Sequence, residues 1–504
     1  MKNSREDQHF QHDIERIKLN DPQLTSIVFD FQNSVSRSRL RSLADSLRRN
    51  EHMCQITLEN NTTRTDYRLR TDHVSALEEV MIHHHSALNT VEVNMDFASP
   101  VSALEFGKLI RRSEILDLSV AASPGVQDTT DIIKALTHGL ATPPQDELHS
   151  ECGLTKLALS QFDMNRDAID ALCSNVIHHK QSGINFLDLR CNNFTIRGDL
   201  LGEALFGPKS CLENLALGGR RDFLLGDLDS SFFSKLAFNT TLDTLLLVSM
   251  GCFPTYQAAG LADALSRNTT LQELHIEHND MNSQELMALT PLFQQNKSLQ
   301  RLSLIGNNIG DLEAISFATA LCDNSAATNL NHLALNDNCI GKLGTEALAQ
   351  MMCKCKTLKS LNLINNELDD MGAMNIAEAI SQSSTIEEVC LDDNSNIGIE
   401  GEEALMRSLR RNMSLKRFSM TNHENDDDRI FDITLEIDDC MRMNKMVKKL
   451  TAPGCDKITS PALFCDKLAF LTTADSDQQA KEQVGKVFSV LRARLDVLVG
   501  HIPS

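Results

Sequence analysis

The sequence predicts an α/β solenoid, a stack of units that each carry one short strand and one helix. Three observations predict it. A ten-residue apolar frame returns along most of the 504 residues. Within each unit the apolar spacing switches from alternation to helical periodicity. The apolar content of 41% and charged content of 23% are those of a folded chain with a large core.

The frame is clearest from Leu358, where the chain reads LKSLNLINNELDDMGAMNIAEAISQSST. Leu358, Leu361 and Leu363 precede Asn366 and Leu368. The Leu-x-Leu pair alternates, so both side chains point to one face of a short strand. The Asn amide can bond backbone groups where the strand turns away and would otherwise leave them unpaired. Ile376, Ala377 and Ile380 then recur at helical spacing and predict a helix that covers the sheet. One such unit cannot bury its own apolar face, so units must stack.

Matching segments begin at Leu154, Ile184, Leu212, Leu242, Leu271, Leu299, Leu330, Ile386 and Leu415. From Leu271 to Leu415 the starts are separated by 28, 31, 28, 28 and 29 residues. Weaker segments begin near Leu24, Met53, Leu88 and Ser113, for fourteen predicted strands in all. A period this long predicts a full helix in every unit.

These segments resemble ribonuclease-inhibitor-type leucine-rich repeats. That family includes the ribonuclease inhibitor, the Ran GTPase-activating protein, the repeat domains of NOD-like receptors, and tropomodulin. The resemblance covers residues 24–420. It implies a horseshoe with a parallel concave sheet and convex helices, and it leaves function to the surface.

Three segments follow from this reading. Residues 1–23 are expected to cap the N-terminal end, 24–420 to form the solenoid, and 421–504 to cap the C-terminal end. An insertion after the Ser113 unit, near 141–153 with Pro143 and Pro144, is expected to be a surface loop. At Leu212 the Asn position holds Arg220, and Gly218–Gly219 suggest close backbone approach there. After Met420 come an acidic stretch through Asp426, Asp427 and Asp428, a strand-like FDITLEID, and three amphipathic stretches. That tail resembles the C-terminal extension of diatom leucine-rich-repeat proteins, on Arg442-Met443-Asn444-Lys445, Pro461-Ala462-Leu463-Phe464 and Val497-Leu498. The resemblance implies a microalgal source and a helical cap.

Net charge is −21, which disfavours nucleic acid and anionic membrane as partners and could steer the chain toward a basic protein. There is no Trp and there are two Tyr, too few rings for a base-stacking platform. The N-terminus lacks the apolar stretch of a signal peptide, and no run reaches membrane-spanning length. Fourteen Cys, with Cys173, Cys322 and Cys339 among those read at apolar repeat positions, are therefore expected to be free thiols in the cytoplasm or nucleus. The N-x-[ST] triplets at Asn61, Asn239, Asn268, Asn296 and Asn412 fall in the helix-to-strand turn.

No cofactor is expected. The Gly-Lys pairs at Gly107, Gly341 and Gly485 lack a phosphate-cradling frame. A NOD-like receptor would also need an attached nucleotide-binding domain, for which the repeats leave no room. His83, His84 and His85 point in different directions on a helix, so they cannot hold one metal. Cys353 and Cys355 lack a second ligand pair, and Asp426–Asp428 lack the Gly and distal Glu of a calcium loop.

These readings favour a non-enzymatic scaffold or adaptor that binds a protein partner on the concave face. Actin capping in the manner of tropomodulin would need an N-terminal amphipathic actin-binding region, which this chain does not display. The alternative is a GTPase-activating regulator of a small GTPase, placing Arg37, Arg39 or Arg41 against developing phosphate charge. Positions 3, 5 and 7 of each unit should point off the concave sheet. The candidate binding residues there are Leu246, Val248, Glu273, His275, Glu277, Arg301, Ile305, His332, Asn336, Asn362 and Ile364. Leu246, Val248, Ile305 and Ile364 are apolar where a solvated strand face is normally polar.

Overall fold

A computed structural model of the chain describes residues 12–30, 37–47, 50–59, 68–82, 88–123, 129–142, 153–179, 183–219, 231–251, 253–323, 328–412 and 414–421, with Ile437. The chain divides into two compact units, Met1–Leu271 and Gln272–Ser504.

In the first unit the Leu-x-Leu pattern produces eight parallel main strands. They are Ser26–Asp30, Gln55–Glu59, Thr90–Asn94, Asp117–Ala121, Lys156–Ser160, Phe186–Leu189, Asn214–Gly218 and Thr244–Val248. The second unit has six, Glu273–Glu277, Arg301–Ser303, His332–Ala334, Ser360–Asn362, Glu388–Cys390 and Arg417–Ser419. Helices from successive repeats pack side by side within each unit. The apolar frame is the core: Leu358, Leu361, Leu363 and Leu368 are all buried, as are Ile376, Ala377 and Ile380 of the helix that follows. The fold is an α/β leucine-rich-repeat solenoid.

Strands begin two residues after the predicted unit starts, with one exception. Asp117 is in register with Lys156, which places the fourth unit's start at Ile115 and not at Ser113. Leu116 misled the sequence reading. It imitates the inward leucine of the frame, yet it is exposed, while Ile115 is buried.

The expectation of a full helix in every unit is also corrected. The unit at Leu212 uses a short tight helix, Phe232–Phe238, built on buried Phe232 and Phe233. The unit at Leu271 splits its helix into Ser283–Ala288 and Thr290–Gln295. Pro291 starts the second piece, since it has no N–H to continue the first. A two-stranded parallel ribbon, Asp163–Met164 with Asn193–Phe194, was not foreseen.

The N-x-[ST] asparagines have a structural role. The Asn268 side-chain oxygen accepts from the backbone N–H of Thr270 (3.0 Å) and Leu271 (2.8 Å). Its amide donates to the carbonyl of Leu236 in the preceding repeat (2.6 Å). Asn239 and Asn412 bond in the same pattern. Asn239, Asn268, Asn296 and Asn412 are all buried. They close the turn between helix and strand and satisfy backbone groups that would otherwise be orphaned.

Cys173 and Cys355 are buried, Cys322 is half-buried and Cys339 is exposed, and all are free thiols. Cys339 follows Asn338 at a position of the frame that faces outward, which corrects its reading as apolar core. Burial pushes the Cys173 thiol up to about 12, with Asp170 adding to the effect. The tail motifs, the His83–His85 run, Arg220, Asn61 and most of the 141–153 insertion lie outside the described residues.

Candidate protein-interaction face

The open face of each sheet presents positions 3, 5 and 7 of the frame. In the second unit the parallel register aligns them in rows. The first row runs Glu273, Arg301, His332, Ser360, Glu388 and Arg417. The second contains His275, Ser303, Ala334, Asn362, Cys390 and Ser419. The third row, just past the strands, is tied by backbone bonds. His278 donates to Ile305, Gly306 to Asn336, Asp337 to Ile364 and Asn365 to Asp392. Ile305, Asn336 and Ile364 therefore lie side by side, at the roughly 4.8 Å separation of neighbouring strands.

At the Glu273 end of these rows the charged groups are linked to one another. Glu277 is the hub: His275 Nδ1 lies 3.0 Å from its carboxylate, and Ser303 Oγ donates to it at 2.6 Å. The hydrogen bond from His275 holds the Glu277 carboxyl below its ordinary range, with Ser303 adding to that and burial opposing it. Arg301 Nε lies 3.3 Å from Glu273. Burial, helped by the neighbouring Arg301 charge, pushes the His332 imidazole below its ordinary value. Near neutral pH this end therefore carries an ionised Glu277 and a neutral His332.

From Ile305 to Ile364 the third row is apolar with one polar exception. Ile305 and Ile364 are half-buried and flank Asn336. The Asn336 side-chain oxygen is shielded from solvent and has no hydrogen-bond partner among the described residues. Such a group is expected to be satisfied from outside. Asn362 accepts from the backbone N–H of Ile364 at 3.2 Å.

Several outward positions are nevertheless buried, namely Asp188, Ala216, Ser303, Ser360 and Cys390. Ser303 and Ser360 are covered by longer side chains of adjacent repeats. Ser360 donates to Glu388 (3.1 Å), just as Ser303 does to Glu277.

In the first unit Leu246 and Val248 lie in register with Ala216 and Gly218, which leave both half-covered. The expected close approach at Gly218 is present, since a Cβ there would meet the Val248 carbonyl at 2.5 Å. Asp188 and Arg190 form a two-pronged ion pair beside them, at 3.0 and 2.7 Å. A separate pocket of about 260 Å³ lies near Cys173 and His178 and was not foreseen.

Among the described residues, no group of His, Cys, Asp and Glu is placed to hold a metal ion, and no helix is long and apolar enough to cross a membrane. Residues 37–47 are helical, but the side chains of Arg37, Arg39 and Arg41 lie outside the described residues.

Four segments, 267–289, 295–318, 326–349 and 354–377, match the family model described as Leucine Rich repeat. The chain is 23% identical over 311 residues to mouse NACHT, LRR and PYD domains-containing protein 9C, covering 58% of this chain and 28% of that one. It is 25% identical over 316 residues to the rat Capping protein, Arp2/3 and myosin-I linker protein 3, covering 61% and 22%. It thus spans about a quarter of the length of these relatives. Among solved structures, yeast Rad7 in complex with Elc1 aligns over 86% of this chain and 87% of that one, at 15% identity and a TM-score of 0.40. Matched segments, register and core agree on one conclusion: the chain carries leucine-rich repeats, each adding a strand to a parallel sheet.

Proposed function

We propose that the chain is a non-enzymatic scaffold or adaptor that binds a protein partner on the open face of its sheet, and that its repeats are of the ribonuclease-inhibitor type. Its working compartment is the cytoplasm or nucleus, and nucleic acid is not a partner. In the second unit the contact residues are Glu273, His275, Glu277, Arg301, Ile305, His332, Asn336, Asn362 and Ile364; in the first they are Leu246 and Val248. The observation that carries this reading is the Ile305–Asn336–Ile364 row, where two apolar side chains flank a shielded amide oxygen that has no partner among the described residues. A partner that donates one hydrogen bond there while covering both isoleucines gains from each contact. The similar rat protein is named as a linker of other proteins, which supports a joining role. The GTPase-regulator reading rests on Arg37, Arg39 and Arg41, and no described contact supports it.

The test is affinity purification from the native cell with wild-type protein and the Ile305→Asp/Ile364→Asp double variant. Partner binding should weaken by about 2 kcal/mol or more in the variant. Unchanged recovery with a correctly folded variant would overturn the assignment of this face.

A further inference from the structure

The second unit carries another apolar feature, away from its open sheet face. Leu312, Leu343, Met371 and Ile399 are 73%, 55%, 44% and 56% exposed. They belong to four consecutive repeats and occupy the first turn of the helices Asp311–Asp323, Lys342–Lys354, Asp370–Gln382 and Ile399–Leu409. None belongs to the core pattern of its helix. Leu312, Leu343 and Met371 are the second residues of their helices, whereas Ile399 is the first of its own and Glu400 the second. In the first unit the second residue varies, as at Val101, Asp131, Asp167, Asp199 and Tyr256. Among the described residues, exposed apolar side chains at the helix starts of four consecutive repeats occur in the second unit, where scattered single residues would have been unremarkable.

Neighbouring helices approach closely at this end. Gly344 sits against Ala314, and Gly401 against Ala373. Close contact of that kind sets helix axes about 8 Å apart, so four side chains span roughly 25 Å. The surrounding surface is acidic. Asp337, Glu346, Glu367, Asp393, Glu400 and Glu403 are exposed, against one exposed base, Lys342.

Five backbone N–H groups at this edge are capped by carboxylates. Asp311 accepts from the N–H groups of Gly341 and Gly344, both at 2.8 Å. Asp370 accepts from Gly398 (2.7 Å) and Gly401 (2.8 Å), and Asp369 from Gly372 (2.8 Å). A row of helix starts presents no strand edge to which an extended peptide could add. An occupant must satisfy its own backbone, which a helix does. Its charge must be positive to lie against this rim, which also disfavours a second copy of this acidic chain and an anionic membrane.

We propose that the Leu312–Leu343–Met371–Ile399 row is a second docking edge for a basic amphipathic helix of a partner protein. A helix of about 17 residues matches the length of the row. Its apolar stripe covers the four side chains, and its Lys or Arg flanks meet the acidic rim.

The probe is a labelled synthetic helix of about 18 residues with one leucine stripe and Lys flanks, titrated against full-length protein by fluorescence anisotropy. The quadruple variant Leu312→Ser/Leu343→Ser/Met371→Ser/Ile399→Ser changes exposed positions, and a thermal melt confirms that it folds. Wild-type protein should bind the peptide, more weakly as salt is raised, and the variant should lose at least about tenfold in affinity. A Glu-flanked peptide should not bind. Ile305→Asp/Ile364→Asp should leave peptide binding unchanged, which separates this edge from the sheet face. Four results would overturn the proposal: no peptide binding by wild-type protein, equal binding by the quadruple variant, equal binding of the Glu-flanked peptide, or loss in the sheet-face variant. So would a wild-type dimer that the quadruple variant dissociates, or anionic vesicles bound as tightly as the peptide.

Discussion

The two units obey one repeat frame but satisfy it with different chemistry. In the second unit the turns after four strands are each closed by a buried amide. Asn307, Asn338, Asn366 and Asn394 each donate to carbonyls of their own turn and of the preceding repeat. Their oxygens accept backbone N–H groups. In the first unit Asn192 does the same, but the equivalent positions of other repeats hold buried Phe162 and Met250. The second unit therefore repeats one hydrogen-bond solution, while the first varies it. A regular unit can place side chains of successive repeats in straight rows. Both candidate binding features, the isoleucine row and the helix-end row, lie in the regular unit.

The helix contacts differ in the same sense. In the first unit glycines are pressed against backbone: a Cβ at Gly202 would lie 2.1 Å from the Phe232 carbonyl, and one at Gly107 2.4 Å from the Leu136 carbonyl. In the second unit, Gly344 and Gly401 mainly face side chains. The turn residues that adopt left-handed backbone differ too. The second unit uses His278, Gly306, Asp337, Asn365 and Asp393, types that tolerate positive φ. The first uses Gln161, Cys191 and Ser249, which tolerate it less well.

Six substitutions sharpen or break this comparison, each read by hydrogen exchange localised to peptides of the full chain. The largest effect is expected for Asn338→Leu, which orphans three carbonyls and two N–H groups and should lower protection in its own unit by about 4 kcal/mol. A loss under about 1 kcal/mol would remove the amide ladder as the source of regularity. Next is Gly202→Ala, expected to cost about 3 kcal/mol because a backbone carbonyl cannot yield. Gly344→Ala should cost roughly a third of that, since it meets side chains that can move. Equal costs would erase the distinction in helix packing. Asp370→Ala removes a cap that one repeat supplies to the next and should cost about 1 kcal/mol. The smallest effect is a gain. Ser249→Gly should raise protection in the first unit by about 0.5–1 kcal/mol by relieving left-handed strain, whereas Asp337→Gly should not.

Much of this was legible in the sequence because the frame encodes geometry directly. Alternating leucines can be buried on one face of a strand or not at all, so thirteen of fourteen strand positions followed from spacing alone. Leu116 defeated the fourth unit because spacing cannot tell an exposed leucine from a buried one. The split helix at Pro291 was readable from the proline, but the long period overrode it. The frame alone named the candidate side chains, and it carries nothing about their burial. Ser303 and Ser360 sink beneath glutamates of adjacent repeats, and a register between neighbours is needed to see that. The helix-end row escaped for a related reason. Each member is an ordinary exposed residue within its own repeat and becomes a surface once four repeats are stacked.

The claim at the centre is that partner contact is concentrated on the open sheet face of the regular unit. The most direct measurement is a hydrogen-exchange footprint of the full-length chain with the partner recovered from its native cell. The expected result is slowed exchange across 301–305, 332–336 and 360–364, lost in the Ile305→Asp/Ile364→Asp variant. Slowing confined to the first unit, or to the long helices, with these three segments unchanged would contradict it.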